Sequence, residues 1–415
     1  MNISTVRGYW VTLVYNPGKE SVEVGDNIVI LDRADKRGVL ALVIEILVPV
    51  PSSSRELEVT EPLVHAYVKK AVESLRLAVA RIMMEVELVD GELVLERWRG
   101  YAPSRNAEFL RASPSDVVRA LRERRLGARG RRGEGAAGGL FKHPVAVGSD
   151  AEGGLFEASA YDLQGLNLIV GTKGVGKSHL AKAMLLGLAG HGAGCLVFDM
   201  NDEYSRLDLG RDGRPKPELE GLFVKLKLRE ALSLPRGLSL LRGRLARTLS
   251  QLNEGKILVV NLGGLARQTR RAAARVLLSN LLSLLESRKL EPVFLFAEEA
   301  HLYIDREDII DMVARMRHLG LWQFYVTSAP TSLPELLVRQ ADNLFCFRLS
   351  LPDDVKHVAP ASRLEPDALQ RLLAALPPRH FLAVGRATEG YPVILRNREL
   401  DVQAAGETRY RFLEP

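Results

Sequence analysis

Residues Gly171-Thr172-Lys173-Gly174-Val175-Gly176-Lys177-Ser178 have the spacing G-x-x-x-x-G-K-[ST], which suits the phosphates of ATP with Mg²⁺. Glycines let the backbone curl until successive N–H groups point at phosphate oxygens. A helix starting at Lys177 would add its partial positive charge. Lys177 would reach the β- and γ-phosphates, and the Ser178 hydroxyl is a hard oxygen ligand for the metal. His179 follows directly and completes the candidate nucleotide contacts. A glycine-rich turn without a ligand is the plainer reading. Against it stand the apolar run Leu166–Val170 before the loop and the helical run Leu180–Leu186 after it.

A second cluster must complete the first. Pro292-Val293-Phe294-Leu295-Phe296-Ala297 is an apolar strand ending in Glu298 and Glu299. The first carboxylate is assigned to the metal and its water shell. The second is assigned as the base that takes a proton from the attacking water. Alone, the pair would read as solvated strand-end acids; beside a complete phosphate loop it reads as chemistry. Asp199-Met200-Asn201-Asp202-Glu203-Tyr204 ends another strand at the edge where such sheets bind ligands. Glu203 is a candidate supporting group, and Asp202 suits a helix cap nearly as well.

These clusters need elements to hold them. From about Leu140, apolar strands (Leu166–Val170, Cys195–Asp199, Ile257–Leu262, Val293–Ala297, Phe324–Thr327, Leu344–Leu349) alternate with helices (Lys177–Leu188, Ala266–Ser287, Asp305–Leu319). That alternation predicts an α/β core with a parallel sheet covered on both faces. A hairpin, His380–Gly385 with Tyr391–Leu395, closes the chain. The first hundred residues are β-rich, with strands at Gly8–Tyr15, Gly25–Asp32 and Gly38–Val48. Val64, Val68, Val72, Leu75, Val79, Ile82 and Met83 recur near a helical period, predicting an inserted helix over 61–84. A hairpin about Asp90-Gly91 joins 85–89 to 92–98. The resulting division is a small β-barrel over 1–110, a basic Arg/Gly-rich linker over 111–140 and an ATPase core over 141–415.

The 415 residues suffice for two or three domains, and the net charge of +6 is compatible with nucleic acid without demanding it. Arg119, Arg122, Arg124, Arg125, Arg129, Arg131 and Arg132 cluster around a single acid, Glu123. They read either as a solvated helix end and linker or as a phosphate-tracking segment. Cys195 and Cys346 lie in apolar runs and read as small buried hydrophobes. Neither a membrane-length apolar run nor a signal peptide is visible, so a cytoplasmic protein is expected.

Across positions 150 to 400 the residues resemble the HerA branch of the FtsK–HerA translocases. Asp199 to Tyr204 is similar to that family's D-x-x-G-E-Y. Glu298-Glu299-Ala300-His301 matches its E-E-A-H run. Ala314 to Gly320 is similar to its A-x-x-G-R-K-x-G segment, and Leu376 to Leu395 resembles its closing hairpin. Val24-Gly25-Asp26, leading a strand, resembles the start of the small HAS-like barrel that precedes the ATPase in HerA proteins. The resemblance implies a RecA-like P-loop NTPase core and a homohexameric ring moving along double-stranded DNA. It also implies a NurA-type nuclease partner in processing broken ends. Through the same segment it implies that Arg317 is an arginine finger acting across a subunit boundary, with Arg315 as the backup candidate. Two departures stand out. Lys173-Gly174-Val175-Gly176 replaces the usual G-S-G pattern. Ser328-Ala329-Pro330 replaces S-Q-R-P, so a glutamine is missing at Ala329, and phosphate sensing is either rearranged or passed to Thr327 or Ser328. A conjugation-type or packaging ring motor and a nucleotide-driven assembly switch are the competing classes.

Overall fold

The computed structural model describes residues 1–48, 74–89, 92–128, 143–229 and 245–403. Two compact units divide the chain. One comprises Met1–Glu134 with Asp367–Leu376, the other Gly135–Pro366 with Pro377–Pro415.

The first unit is an antiparallel sheet of β1 (Asn2–Arg7), β2 (Trp10–Tyr15), β3 (Asn27–Asp32), β4 (Arg37–Leu47), β5 (Arg76–Val89), β6 (Glu92–Glu96) and β7 (Glu108–Ala112). Its order is β1-β2-β5-β4-β3-β7, with β6 on β5. Alternate residues of neighbouring strands, among them Val11, Leu13, Ile28, Ile30, Val39 and Ala41, meet in one core. The helix expected over 61–84 is corrected: residues 76–84 lie in β5, and 49–73 fall outside the described residues. Ala78, Ala80 and Ile82 are buried at a period of two, because β4 needs a partner strand and pairs Val43 with Ala80 and Ala41 with Ile82. Over 76–84 the helical spacing of Val79, Ile82 and Met83 therefore does not mark a helix. The hairpin stands, with Val89 opposite Glu92.

Helix α1 (Pro114–Ala128) occupies part of the expected linker. Arg122 is buried there, Arg124 donates to the Leu95 carbonyl, and Arg119 lies 3.7 Å from Asp116. These arginines thus spend much of their capacity inside the unit. Arg129, Arg131 and Arg132 fall outside the described residues.

The second unit is an eleven-stranded sheet of β8 (Pro144–Ser149), β9 (Leu155–Ser159), β10 (Leu166–Val170), β11 (Cys195–Asp199), β12 (Phe223–Lys227), β13 (Ile257–Asn261), β14 (Val293–Glu298), β15 (Leu321–Thr327), β16 (Asn343–Phe347), β17 (His380–Gly385) and β18 (Val393–Arg396). The order is β12-β13-β11-β14-β15-β10-β16-β17-β18-β8-β9. From β12 to β16 every pairing is parallel. The expected parallel sheet therefore exists but carries an antiparallel wing, β16-β17-β18-β8-β9. Short connections such as β8 to β9 allow only antiparallel neighbours. The helices of this unit include α2 (Lys177–Gly190), α3 (Arg267–Glu286) and α4 (Arg306–Leu319). Both cysteines are free and buried in strands, as their apolar neighbours require. No helix among the described residues is long and apolar enough to cross a membrane.

Register fixes where chemistry can gather. Val170 pairs with Thr327, Glu298 with Val326 and Phe198 with Ala297, so β10, β11, β14 and β15 all end at one carboxyl edge. That is where a parallel sheet presents ligand-binding loops.

Candidate nucleotide-binding site

The loop after β10 has the conformation its glycines permit. A Cβ on Gly171 would lie 2.5 Å from the Phe347 Cβ. Gly176 caps α2 with φ 111° and ψ 12°, in the left-handed region where side chains are strained. Thr172, Lys173, Gly174 and Val175 lie between these two glycines. Thr172 N–H is taken by the Arg348 carbonyl at 2.9 Å. Lys177 is buried, and its Nζ donates to the Thr172 carbonyl at 2.7 Å. Burial pulls the pKa of the ammonium down, while Glu299, Glu298 and Glu203 push it back up.

The first turn of α2 faces the tip of β14. Ser178 Oγ donates to Glu298 Oε2 at 3.2 Å, and the buried Tyr204 hydroxyl donates to Glu298 Oε1. Burial raises the Glu298 carboxyl to a pKa of about 7, against the lowering effect of Tyr204, Lys182 and Ser178. One turn along α2, buried Lys182 pairs with Glu203 at 3.1 Å and lies over the Tyr204 ring. Asp199 turns its oxygens onto the N–H groups of Asn201, Glu203 and Tyr204, which shapes the segment carrying these residues. Asp202 caps no helix; it accepts from Asn261 Nδ2 at 2.7 Å.

Glu299 sits in the left-handed region at φ 48°, a conformation costing a non-glycine residue on the order of 1–3 kcal/mol. The surroundings over-determine it. Its Oε1 accepts from Ser328 N–H at 2.9 Å and Ser328 Oγ at 2.7 Å, and its Oε2 accepts from Thr327 Oγ1 at 2.9 Å. Thr327 and Ser328, expected to sense phosphate, here hold this carboxylate. His301 Nδ1 lies 3.6 Å from the same group.

The donor set fits a magnesium nucleotide. Ser178 Oγ and Glu298 Oε2 are hard oxygens 3.2 Å apart, close to the ~3 Å that separates adjacent ligands of an octahedral Mg²⁺ with bonds near 2.1 Å.

Arg317 is not in this cluster. It lies near the end of α4, 73% exposed, with Nη2 3.7 Å from Asp342 Oδ1. Asp342 precedes β16 and accepts from Leu166 N–H at the start of β10, so this is the amino edge. Roughly 15 Å of strand separates the two edges. Arg315 is engaged by Glu286 and Asp311.

Three partners escaped sequence reasoning. Tyr204 was visible only as a motif letter. Lys182 left a faint signal, a lysine four residues after Ser178 on an apolar helix. Asn397 left none. Its Nδ2 donates to the Gly176 carbonyl at 3.0 Å across 221 positions of sequence. His179, read as a nucleotide contact, directs Nε2 to the Arg398 carbonyl at 2.7 Å.

Residues 166–236 match the family model described as the central domain of the helicase HerA. None of the curated proteins matches the chain by sequence. Among solved structures, the genome packaging NTPase B204 of Sulfolobus turreted icosahedral virus 2, in complex with AMPPCP, is similar at 18% identity and TM-score 0.40, over 57% of this chain and 100% of that one. VirB4 of Thermoanaerobacter pseudethanolicus is similar at 16% identity and TM-score 0.42, over 62% and 96%. The pCW3 conjugation coupling protein TcpA is similar at 11% identity and TM-score 0.34, over 89% and 86%. Likenesses of this extent do not bear on activity.

Proposed function

We propose that this chain, which carries a P-loop NTPase domain of the HerA–FtsK type, is an ATP-hydrolysing ring motor on double-stranded DNA. It works as a homohexamer with a NurA-type nuclease in DNA end processing, and its amino-terminal sheet forms the HAS-like barrel.

The observation that carries the hydrolysis is the convergence on one sheet edge of Ser178 and Tyr204 on Glu298, and of Thr327 and Ser328 on Glu299. The loop N–H groups and Lys177 bind the phosphates. Mg²⁺, when bound, neutralises phosphate charge. Ser178 and Glu298 would hold the cation, with Tyr204 fixing the remaining Glu298 oxygen. Glu299, clamped by its three donors, orients the attacking water and accepts its proton. Arg317 stands on the opposite edge, so it serves catalysis only on a neighbouring chain's nucleotide. This is the reason to assign a ring.

A nucleotide-driven assembly switch is the second reading, and one observation favours it. Cations of the basic segments 225–229 and 267–275, which a motor could turn to DNA, are instead paired internally: Lys225 with Asp208 at 2.7 Å, Arg271 with Asp305 at 3.2 Å, and Arg275 with Asp305 at 2.6 Å. Turnover measured with and without duplex DNA separates the two. A motor is stimulated severalfold, and its DNA affinity falls linearly in log–log salt plots. Hydrolysis indifferent to duplex, with no duplex binding at low salt, would leave the switch.

A further inference from the structure

The polypeptide leaving β18 does not turn away from the sheet but runs beside the phosphate loop, anchored at both ends. At its start Asn397 N–H donates to the Arg379 carbonyl at 2.9 Å, and Asn397 Nδ2 donates to the Gly176 carbonyl at 3.0 Å. Next, His179 Nε2 meets the Arg398 carbonyl at 2.7 Å. A carbonyl oxygen only accepts, so this contact requires the proton on Nε2. Farther on, Arg211 Nε donates to the Leu400 carbonyl at 2.9 Å, Lys216 pairs with Asp401 at 2.8 Å, and Gln403 N–H donates to the Leu209 carbonyl at 2.7 Å. Leu400 and Val402 are buried.

We propose that residues 397–403 are a strap that sets the donor geometry of the phosphate loop, with Asn397 as its positioning residue. The proposal rests on the ATPase reading above and extends it to a segment outside the nucleotide motifs.

Peptide planarity supplies the mechanism. The C=O of Gly176 and the N–H of Lys177 belong to one trans peptide unit and point in opposite directions. Fixing the carbonyl on Asn397 therefore aims the Lys177 N–H away from the strap, into the turn that receives phosphate. The Gly176 carbonyl also accepts from Leu180 N–H at 3.0 Å, so the side-chain bond is an addition to the helix's own first bond. Asn397 is only 8% exposed, and among the described residues its buried Oδ1 has no hydrogen-bond partner, so the Nδ2 bond to Gly176 is the side chain's directed contact. The amide orientation follows from the carbonyl it faces, since a flipped amide would set oxygen against oxygen. A Cβ at position 176 would lie 2.3 Å from Asn397 Nδ2, so the contact also depends on the glycine.

If a docked strap improves phosphate binding, bound nucleotide must in turn favour docking, because the coupling is reciprocal. Asn397→Asp keeps the shape and loses the donor; Asn397→Ala loses both. Each variant is expected to raise the KM for MgATP about threefold to tenfold, the equivalent of one lost hydrogen bond, with a smaller change in kcat. Independently, hydrogen exchange on the unaltered full chain is expected to slow at Gln403 and across 397–403 when ADP is added. A KM within twofold of the unaltered chain in both variants would overturn the proposal. So would unchanged exchange in the strap while the phosphate loop itself becomes protected. The exchange measurement decides the matter if neither variant folds. A chain that binds no nucleotide at all would instead remove the ATPase reading on which the strap depends.

Discussion

At the carboxyl edge of the parallel strands, Lys177, Ser178, Glu298 and Glu299 are each buried or half-buried and each hydrogen-bonded within the chain. At the amino edge Arg317 is 73% exposed and, among the described residues, pairs with Asp342 alone, at 3.7 Å. An exposed pair at that separation contributes about 0–1 kcal/mol, so little holds this guanidinium in place. The carboxyl edge is buried and over-determined, whereas the amino edge carries a loosely held, exposed guanidinium. Under the proposed ring reading, each edge supplies half of one reaction, and closing a ring would bring the halves together.

The comparison breaks first at Lys177. Lys177→Ala removes the cation proposed to meet the phosphates and is expected to lower steady-state ATP turnover at least about a hundredfold, read by phosphate release. Near-normal turnover would show that the buried edge is not the reacting one.

Glu299→Gln tests the base more narrowly. The amide keeps the shape and its one oxygen can still accept from Ser328, while its NH2 would donate to Thr327 Oγ1 instead of accepting from it, and it cannot take a proton. Turnover is expected to fall roughly 10²–10⁴-fold, while a fluorescent ATP analogue still binds within a few fold of the unaltered chain.

The smallest effect concerns stability. The Glu298 carboxyl is raised from an ordinary 4.5 to about 7 by burial. The folded chain therefore binds this proton more tightly than the unfolded chain. The stability it contributes is fully present below about pH 4.5 and is lost as pH rises through 7. Glu298→Gln removes the ionisation and is expected to raise the nucleotide-free Tm by a few degrees at pH 8. That gain should shrink towards pH 5. An equal gain at both pH values would remove the electrostatic account of this residue.

How much of this was legible in the sequence follows from the range of the interactions. The phosphate loop, β10, β14 and the three long helices were readable because local pattern decides them: an apolar strand, a glycine-rich turn, an apolar helix. β5 was misread from 76 to 84 because Val79, Ile82 and Met83 fit a helical period, while its partner β4 lies far upstream and pairs, for example, Ala41 with Ile82. The assignment of Glu298 and Glu299 rested on position alone. What the structure adds is the means of holding them: Tyr204, Thr327 and Ser328 come from other strand ends, and only register aligns them. Asn397 could not be anticipated, since nothing in its neighbourhood marks an asparagine that will bond Gly176. The Arg119–Arg125 group shows the converse. Its charge density left a solvated helix end and a phosphate-tracking segment equally open, and pattern could not show that Arg124 donates to Leu95 or that Arg122 is buried.

The claim that the two edges are halves of one site is tested most directly by mixing. Lys177→Ala offers an intact Arg317 on its amino edge and a disabled loop on its carboxyl edge; Arg317→Ala offers the reverse. Each alone is expected to be nearly inactive, since a finger of this kind is worth roughly 10³–10⁵ in rate. Equimolar mixed assemblies should recover a measurable fraction of the unaltered ATPase rate. Substantial turnover by Arg317→Ala alone would contradict the account, as would mixtures no more active than their parents despite confirmed co-assembly.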